Sequence, residues 1–188
     1  MSEVFSTKQA EVMNVEFTAP PLRLPNAAST AEAALTKALE FCARKMKLDS
    51  HQAVVDHLRQ GDRTACSYCH YSLAKQVAEY LGAFDENVKV VYICDYDATS
   101  EDLCFGEAAQ TSPIHMIVWA DRNTGALNSL VAALDRALVQ SYADLLGTSQ
   151  LRYLLDVQVI DDADVENRIG YGALLSSIYH RPIQVWER

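Results

Sequence analysis

Apolar residues in the first half of this chain recur every three to four positions, the spacing of a helix that buries one stripe. Leu35, Ala38, Leu39, Cys42 and Met46 form one such set behind Ser29-Thr30-Ala31-Glu32, which matches a capping box. In that motif a serine hydroxyl and a glutamate carboxylate each satisfy a backbone amide left free at the helix start. A helix is therefore predicted to begin there, with Cys42 on its buried stripe. Val54, Val55 and Leu58 mark a second, short helix, capped by Asp49 or Ser50 and ended by Gly61. A third opens at Thr64 or Ser67. Its stripe is Cys66, Cys69, Leu73, Val77, Tyr80 and Leu81, with Lys75 and Glu79 opposite, and Gly82 closes it. These six positions fall within about 120° of helical arc, so both cysteines belong to the core-facing stripe.

Beyond the turn Asp85-Glu86-Asn87 the rhythm changes. Val88 to Cys94 and Ile114 to Ala120 are apolar at successive positions, as in central strands covered by helices. Asn123 or Thr124 then caps a long amphipathic helix carrying Leu127, Leu130, Val131, Leu134, Leu138, Tyr142 and Leu145, stopped by Gly147. Leu151 to Ile160 alternates, with Tyr153, Leu155, Val157 and Val159 on one face and Asp156 and Gln158 on the other, which reads as a one-sided or edge strand. A last helix falls between Asp164 and His180, thinned at Gly170-Tyr171-Gly172, and Ile183 to Trp186 forms a terminal strand after Pro182.

The pattern predicts an α/β or α+β fold, in which a single mixed sheet of four to five strands is packed by the helix over 124–146 and by an N-terminal helical region. Residues 1–28, with Pro20, Pro21 and Pro25, form an extended lead-in where Val12, Val15 and Phe17 leave room for one edge strand. Residues 29–188 form one domain, with a helical part over 29–82 and a sheet-containing part over 88–188.

Composition narrows the class. The 188 residues are 49% hydrophobic and 22% charged, which suits a globular protein, and no run is long enough for a membrane span. The N-terminal segment is polar and unlike a secretory signal, so a cytoplasmic protein is expected. The net charge of −9 opposes nucleic-acid binding, which depends on Lys and Arg displacing counterions at phosphates. Lys37, Arg44, Lys45 and Lys47 are the densest basic cluster and read as a solvated helix face. His51 and His57 read as surface histidines.

Five cysteines carry the candidate chemistry. Cys66-Ser-Tyr-Cys69-His70 has the spelling of a c-type haem attachment site, but no haem is expected in the cytoplasm. The same pair near a helix start suits a redox dithiol, because the positive end of the helix dipole favours thiolate. It also suits half of a zinc site, since zinc takes Cys sulfur at about 2.3 Å and needs four ligands in a closed structural site. Cys66, Cys69, His70 and Cys94 are the candidate ligands, with Cys104 and His115 further options. The alternative to both is packing in the core. Trp119, Trp186, Tyr171 and Tyr179 read first as core aromatics, with a pocket lining or the face of a homo-oligomer as the alternatives. Arg168-Ile-Gly170-Tyr-Gly172 could let backbone amides approach an anion but has neither the length nor the lysine of a P-loop, and it reads as a helix break or a close packing point.

Asp95-Tyr-Asp97-Ala-Thr99, directly after an apolar strand, resembles the first motif of haloacid-dehalogenase-like phosphohydrolases. The resemblance implies Asp95 as phosphoryl-accepting nucleophile, Asp97 as general acid/base, and Asp161-Asp162 as a Mg²⁺-binding pair. The chain departs from that pattern by placing the motif mid-chain, by having Ala120-Asp121 where the family has Ser or Thr, and by having no lysine after Lys89. The leading expectation is thus a non-enzymatic binding or regulatory domain for a small molecule or protein, with Cys66 and Cys69 as a thiol or metal-responsive element. The rival class is an enzyme, either a Mg²⁺-dependent phosphohydrolase or a dithiol oxidoreductase.

Overall fold

The computed structural model describes residues 27–94, 112–149, 151–177 and 181–188. Three helices come first: α1 (Ala27–Met46), α2 (His51–Arg59) and α3 (Arg63–Phe84). Strands β1 (Val88–Ile93) and β2 (Ile114–Ala120) follow, then α4 (Gly125–Leu146), β3 (Leu155–Ile160), α5 (Asp162–Asn167), a 3₁₀ segment (Gly170–Ser176) and β4 (Ile183–Glu187). The expected mixed α+β architecture with one sheet and a long helix is present, and the sheet has four strands among the described residues. Among the described residues, no helix is long and apolar enough to cross a membrane.

Local signals explain most boundaries, but α1, both ends of α3, β3 (starting at Leu155 and not at Leu151) and α5 (starting at Asp162 and not after Asp164) differ from the expected ones. The α1 helix is already formed at Ala27, two residues before the expected serine cap. Helix α3 is capped by Asp62, whose carboxylate accepts from the amides of Thr64 and Ala65, so it begins ahead of both residues favoured from sequence. Gly82 lies inside α3 instead of ending it. The α4 helix behaves as expected, with Thr124 accepting from the Leu127 amide and Gly147 in the left-handed region at φ 69°.

The strand order is β3-β2-β1-β4. Strand β1 is antiparallel to both neighbours, β2 and β4, whereas β2 and β3 are parallel. A parallel pair needs a crossover, and α4 supplies it. Val88, Val91, Met116, Val118, Ala120 and Leu155 turn one sheet face into the core shared with the helices. On that side α1 packs across both α3 and α4, its small residues Ala31, Ala34 and Ala38 allowing close approach. Among the described residues, α1, α3 and α4 pack on one face of the central strands, where helices on both faces were expected. Val90, Ile117 and Ile160 are buried on the opposite, outer face, separate from the main core.

Two side chains fix how the layers meet. Asp135 on α4 accepts hydrogen bonds from the amides of Leu154 and Leu155, both at 2.8 Å, and so sets where β3 starts. At the other sheet edge the indole of Trp186 lies against Gly82, where a methyl group would run into its ring. Arg188 donates to the carbonyls of Gly82 (2.6 Å), Asp85 (3.1 Å) and Val88 (3.1 Å), with its guanidinium 5.7 Å from the Trp186 ring centre. A cation thus meets carbonyls that the end of α3 leaves without helical partners.

Gly82→Ala is expected to lower stability by about 1–2 kcal/mol, because displacing the wedged indole outweighs about 1 kcal/mol of gained helix propensity. In a Trp186→Val background the same change should become stabilising. Urea unfolding of the two pairs checks the reversal of sign.

Candidate functional site

The cysteine pair lies in the helical core. Cys42 from α1 and Cys66 and Cys69 from α3 are all buried, and Tyr142 of α4 is buried near them. The Cys42 thiol is within 3.5 Å of the Met46 sulfur and 3.6 Å of the Ala65 carbonyl. Burial pushes the Cys42 and Cys66 thiols up to about 11, the negative charge of Asp62 adding to the effect, and pushes Cys69 higher still. These thiols stay protonated at neutral pH. Part of the His70 residue reaches solvent, but its Nε2 is buried without a hydrogen-bond partner, as are the Tyr80 and Tyr142 hydroxyls. Burial of the imidazolium lowers the His70 pKa to about 4.

Cys94 is remote from this cluster. Strand alternation puts Ile93 on the core side and Cys94 on the outer side, so the sheet separates Cys94 from Cys66, Cys69 and His70. No group of three or more His, Cys, Asp or Glu side chains among the described residues is disposed to hold a metal ion. Asp95, Asp97, Cys104 and Tyr179 lie outside the described residues.

The outer face and its edge carry the most organised polar groups. Lys89 extends its ammonium to Asp121 at 2.6 Å and to both oxygens of Asp162 at 2.7 and 2.8 Å. The Trp119 indole donates to Asp162 at 2.8 Å, and the ammonium lies 5.7 Å from the Trp119 ring centre. Hydrogen bonds to Asp121 and then Asp162 raise the Lys89 pKa, and the bond from Lys89, followed by that from Trp119, lowers that of Asp162. Asp121 and Asp162 follow the carboxyl ends of parallel β2 and β3, where α/β sheets commonly bind ligands. The neighbouring Asp161 caps α5 through a reciprocal pair with Asp164.

The other end of the same face holds His115 of β2 and Asp156 of β3, paired in register and joined by a 2.8 Å Nδ1 to Oδ2 hydrogen bond. Gln158 donates to the second Asp156 oxygen at 3.1 Å. The Cys94 amide donates to the His115 carbonyl at 2.9 Å, which continues the β1–β2 ladder by one residue. Because β1 runs antiparallel to β2 and β3, the strand end that leads to Asp95 and the strand end that carries Asp161 and Asp162 lie at opposite ends of the sheet.

Gly172 fits the close-packing reading, since a Cβ there would meet the Asp164 carbonyl. Trp186 packs on the core and Tyr171 is exposed, which leaves Trp119 as the sheet-face aromatic at the polar cluster. Lys89 was the visible signal for that cluster, as the one charged residue in an otherwise apolar strand. Asp156 gave a weaker one, because a carboxylate on an edge strand is ordinary until a histidine is placed beside it. No known protein family, curated protein or solved structure matches the chain.

Iodoacetamide at pH 7.5 should leave Cys42, Cys66 and Cys69 unmodified in the folded protein and label all three in denaturant. Peptide mapping reads the difference. His70 should also couple stability to pH. Unfolded, it gains a proton near pH 6.5, whereas folded it resists protonation down to about 4. The unfolded state therefore binds more protons between those values. Its contribution is fully present above pH 6.5 and is lost as pH falls towards 4, by up to about 3 kcal/mol. In His70→Leu, urea unfolding should show a correspondingly smaller change between pH 7 and pH 4.

Proposed function

We propose that this chain is a binding or regulatory domain that takes a basic, amine- or guanidinium-bearing partner at the Lys89, Trp119, Asp121 and Asp162 end of its sheet. The observation that supports this is the position of Lys89 itself, an ammonium held between two carboxylates beside an indole face. The protein's own side chain displays the chemistry that the cluster accommodates. Lys89, Asp121 and Asp162 have side chains 35%, 49% and 47% exposed, so a competing cation can exchange with the lysine at little structural cost. Among the described residues, Asp156 and Glu187 add negative charge on the outer face, partly balanced by Arg181 near Tyr92. The net charge of −9 steers positive partners inward and opposes nucleic acid.

In this reading Cys66 and Cys69 serve the core, and an oxidant or zinc reaches them only when α1 lifts from α3. Three buried thiols fit a reducing, cytoplasmic setting.

A Trp186→Phe variant leaves Trp119 as the sole tryptophan and so as a reporter. Trilysine peptide should change its emission saturably, an effect that weakens with added salt and falls about tenfold or more in Asp162→Asn. Triglutamate should give no change. An equal response to both peptides, or no response to trilysine at millimolar concentration, would refute the proposal.

A further inference from the structure

The opposite end of the outer face places three chemically complementary side chains on adjacent strands. His115 and Asp156 are register partners on β2 and β3, and their hydrogen bond uses the imidazole Nδ1. Asp156 is itself held on its other oxygen by Gln158, so the carboxylate is fixed on both sides. Cys94 stands directly across from His115 on the β1 side, as the Cys94 amide to His115 carbonyl bond shows. Side chains of directly opposed residues on one face have Cβ atoms about 4.5–5.5 Å apart, within reach of a thiol and an imidazole. Cys94 is half-buried, in contrast to the fully enclosed Cys42, Cys66 and Cys69.

We infer that Cys94, His115 and Asp156 form a thiol-nucleophile site for an activated acyl group, with Cys94 attacking, His115 acting as general base through Nε2, and Asp156 positioning the ring. The order of roles is the one such constellations share on unrelated folds, where geometry and not sequence position defines them. Because Nδ1 donates to Asp156, Nε2 is the nitrogen that exchanges protons. With an aryl ester, the Cys94 thiol gives its proton to Nε2, and the sulfur forms a bond to the acyl carbon. The aryl C–O bond breaks with its electron pair on the leaving phenolate, which takes the proton from His115. Water then attacks the thioester carbon, giving a proton to Nε2. The C–S bond breaks, the carboxylic acid leaves, and the sulfur recovers the proton.

The titratable groups around His115 among the described residues are Asp156 on β3 and Tyr92 and Cys94 on the β1 side, with Glu187 and Arg181 beyond Tyr92. Lys89, Asp121 and Asp162 belong to the other end of the sheet, so this site stands independently of the basic-partner reading.

The test uses the full chain. Incubation with p-nitrophenyl acetate should add one acetyl group that maps to Cys94, and the adduct should be absent in Cys94→Ser. Iodoacetamide labelling of Cys94, followed by peptide mapping, should show a midpoint below the value of about 8.5 usual for cysteine. His115→Asn should return that midpoint to the ordinary value and slow acetylation at pH 7 about a hundredfold. Asp156→Asn should produce a smaller shift in the same direction. The wild-type labelling profile requires no substitution, so it decides the matter even where a variant folds poorly. An ordinary midpoint for Cys94, or acetyl transfer that survives Cys94→Ser, would overturn the assignment. Failure of trilysine to bind would leave these results unaffected.

Discussion

The antiparallel placement of β1 between β2 and β4 is the constraint from which the arrangement of the molecule follows. The backbone amides and carbonyls of a central strand point alternately to its two neighbours and need partners on both sides, and two antiparallel ladders fix the facing of every β1 side chain. Val88 and Val91 are thereby sent into the helical core, while Val90 and Tyr92 are sent outward beside Trp119 and Ile117. The same ladder brings Cys94 alongside His115 at one end of the sheet and brings Lys89 within reach of Asp121 and Asp162 at the other. A parallel β1 would have set its carboxyl end beside those of β2 and β3. The observed direction separates them by the length of β2, about 20 Å at the usual strand rise.

At the cysteine pair two opposing effects meet, and desolvation wins. A helix N-terminus stabilises thiolate, but the Asp62 carboxylate already accepts from the Thr64 and Ala65 amides, and the Cys66 amide is already bonded to the Asp62 carbonyl. The positive end of α3 is therefore occupied by a neighbouring anion. What remains for Cys66 is an apolar enclosure and a nearby negative charge, and both favour the neutral thiol. Spelling alone made this pair look reactive. Its place on the buried stripe, also readable from the spacing, was the better guide.

Helical periodicity made the long α4 helix legible, and unbroken apolar runs did the same for β1 and β2, because each depends on residues close together in sequence. The edge position of β3 was legible from its alternation, and the thinning around Gly170 from its glycines. Strand direction left no such trace. Whether β1 runs with or against β2 is decided by long-range pairing, and the outer-face groups depend on that choice. Asp135 and Arg188 were silent for a similar reason: each satisfies backbone groups roughly 20 to 100 positions away. Gly82 was misread as a helix stop because the indole that requires its bare backbone comes from the far end of the chain.

Lys89 sits at an irregularity in the β1–β2 pairing, where Val88 faces Ala120 and Val90 faces Trp119, so that no β2 residue is left opposite the lysine. It is one residue more than that ladder needs. Replacing its side chain would leave Val88 inward, Val90 outward and Val91 inward, because what Lys89 gives the sheet is its backbone carbonyl, which accepts from the Arg188 amide at 3.0 Å. The architecture and the charged cluster are thus separable layers of information in the chain. Selection can tune or discard the cluster through a single position while the scaffold keeps its register.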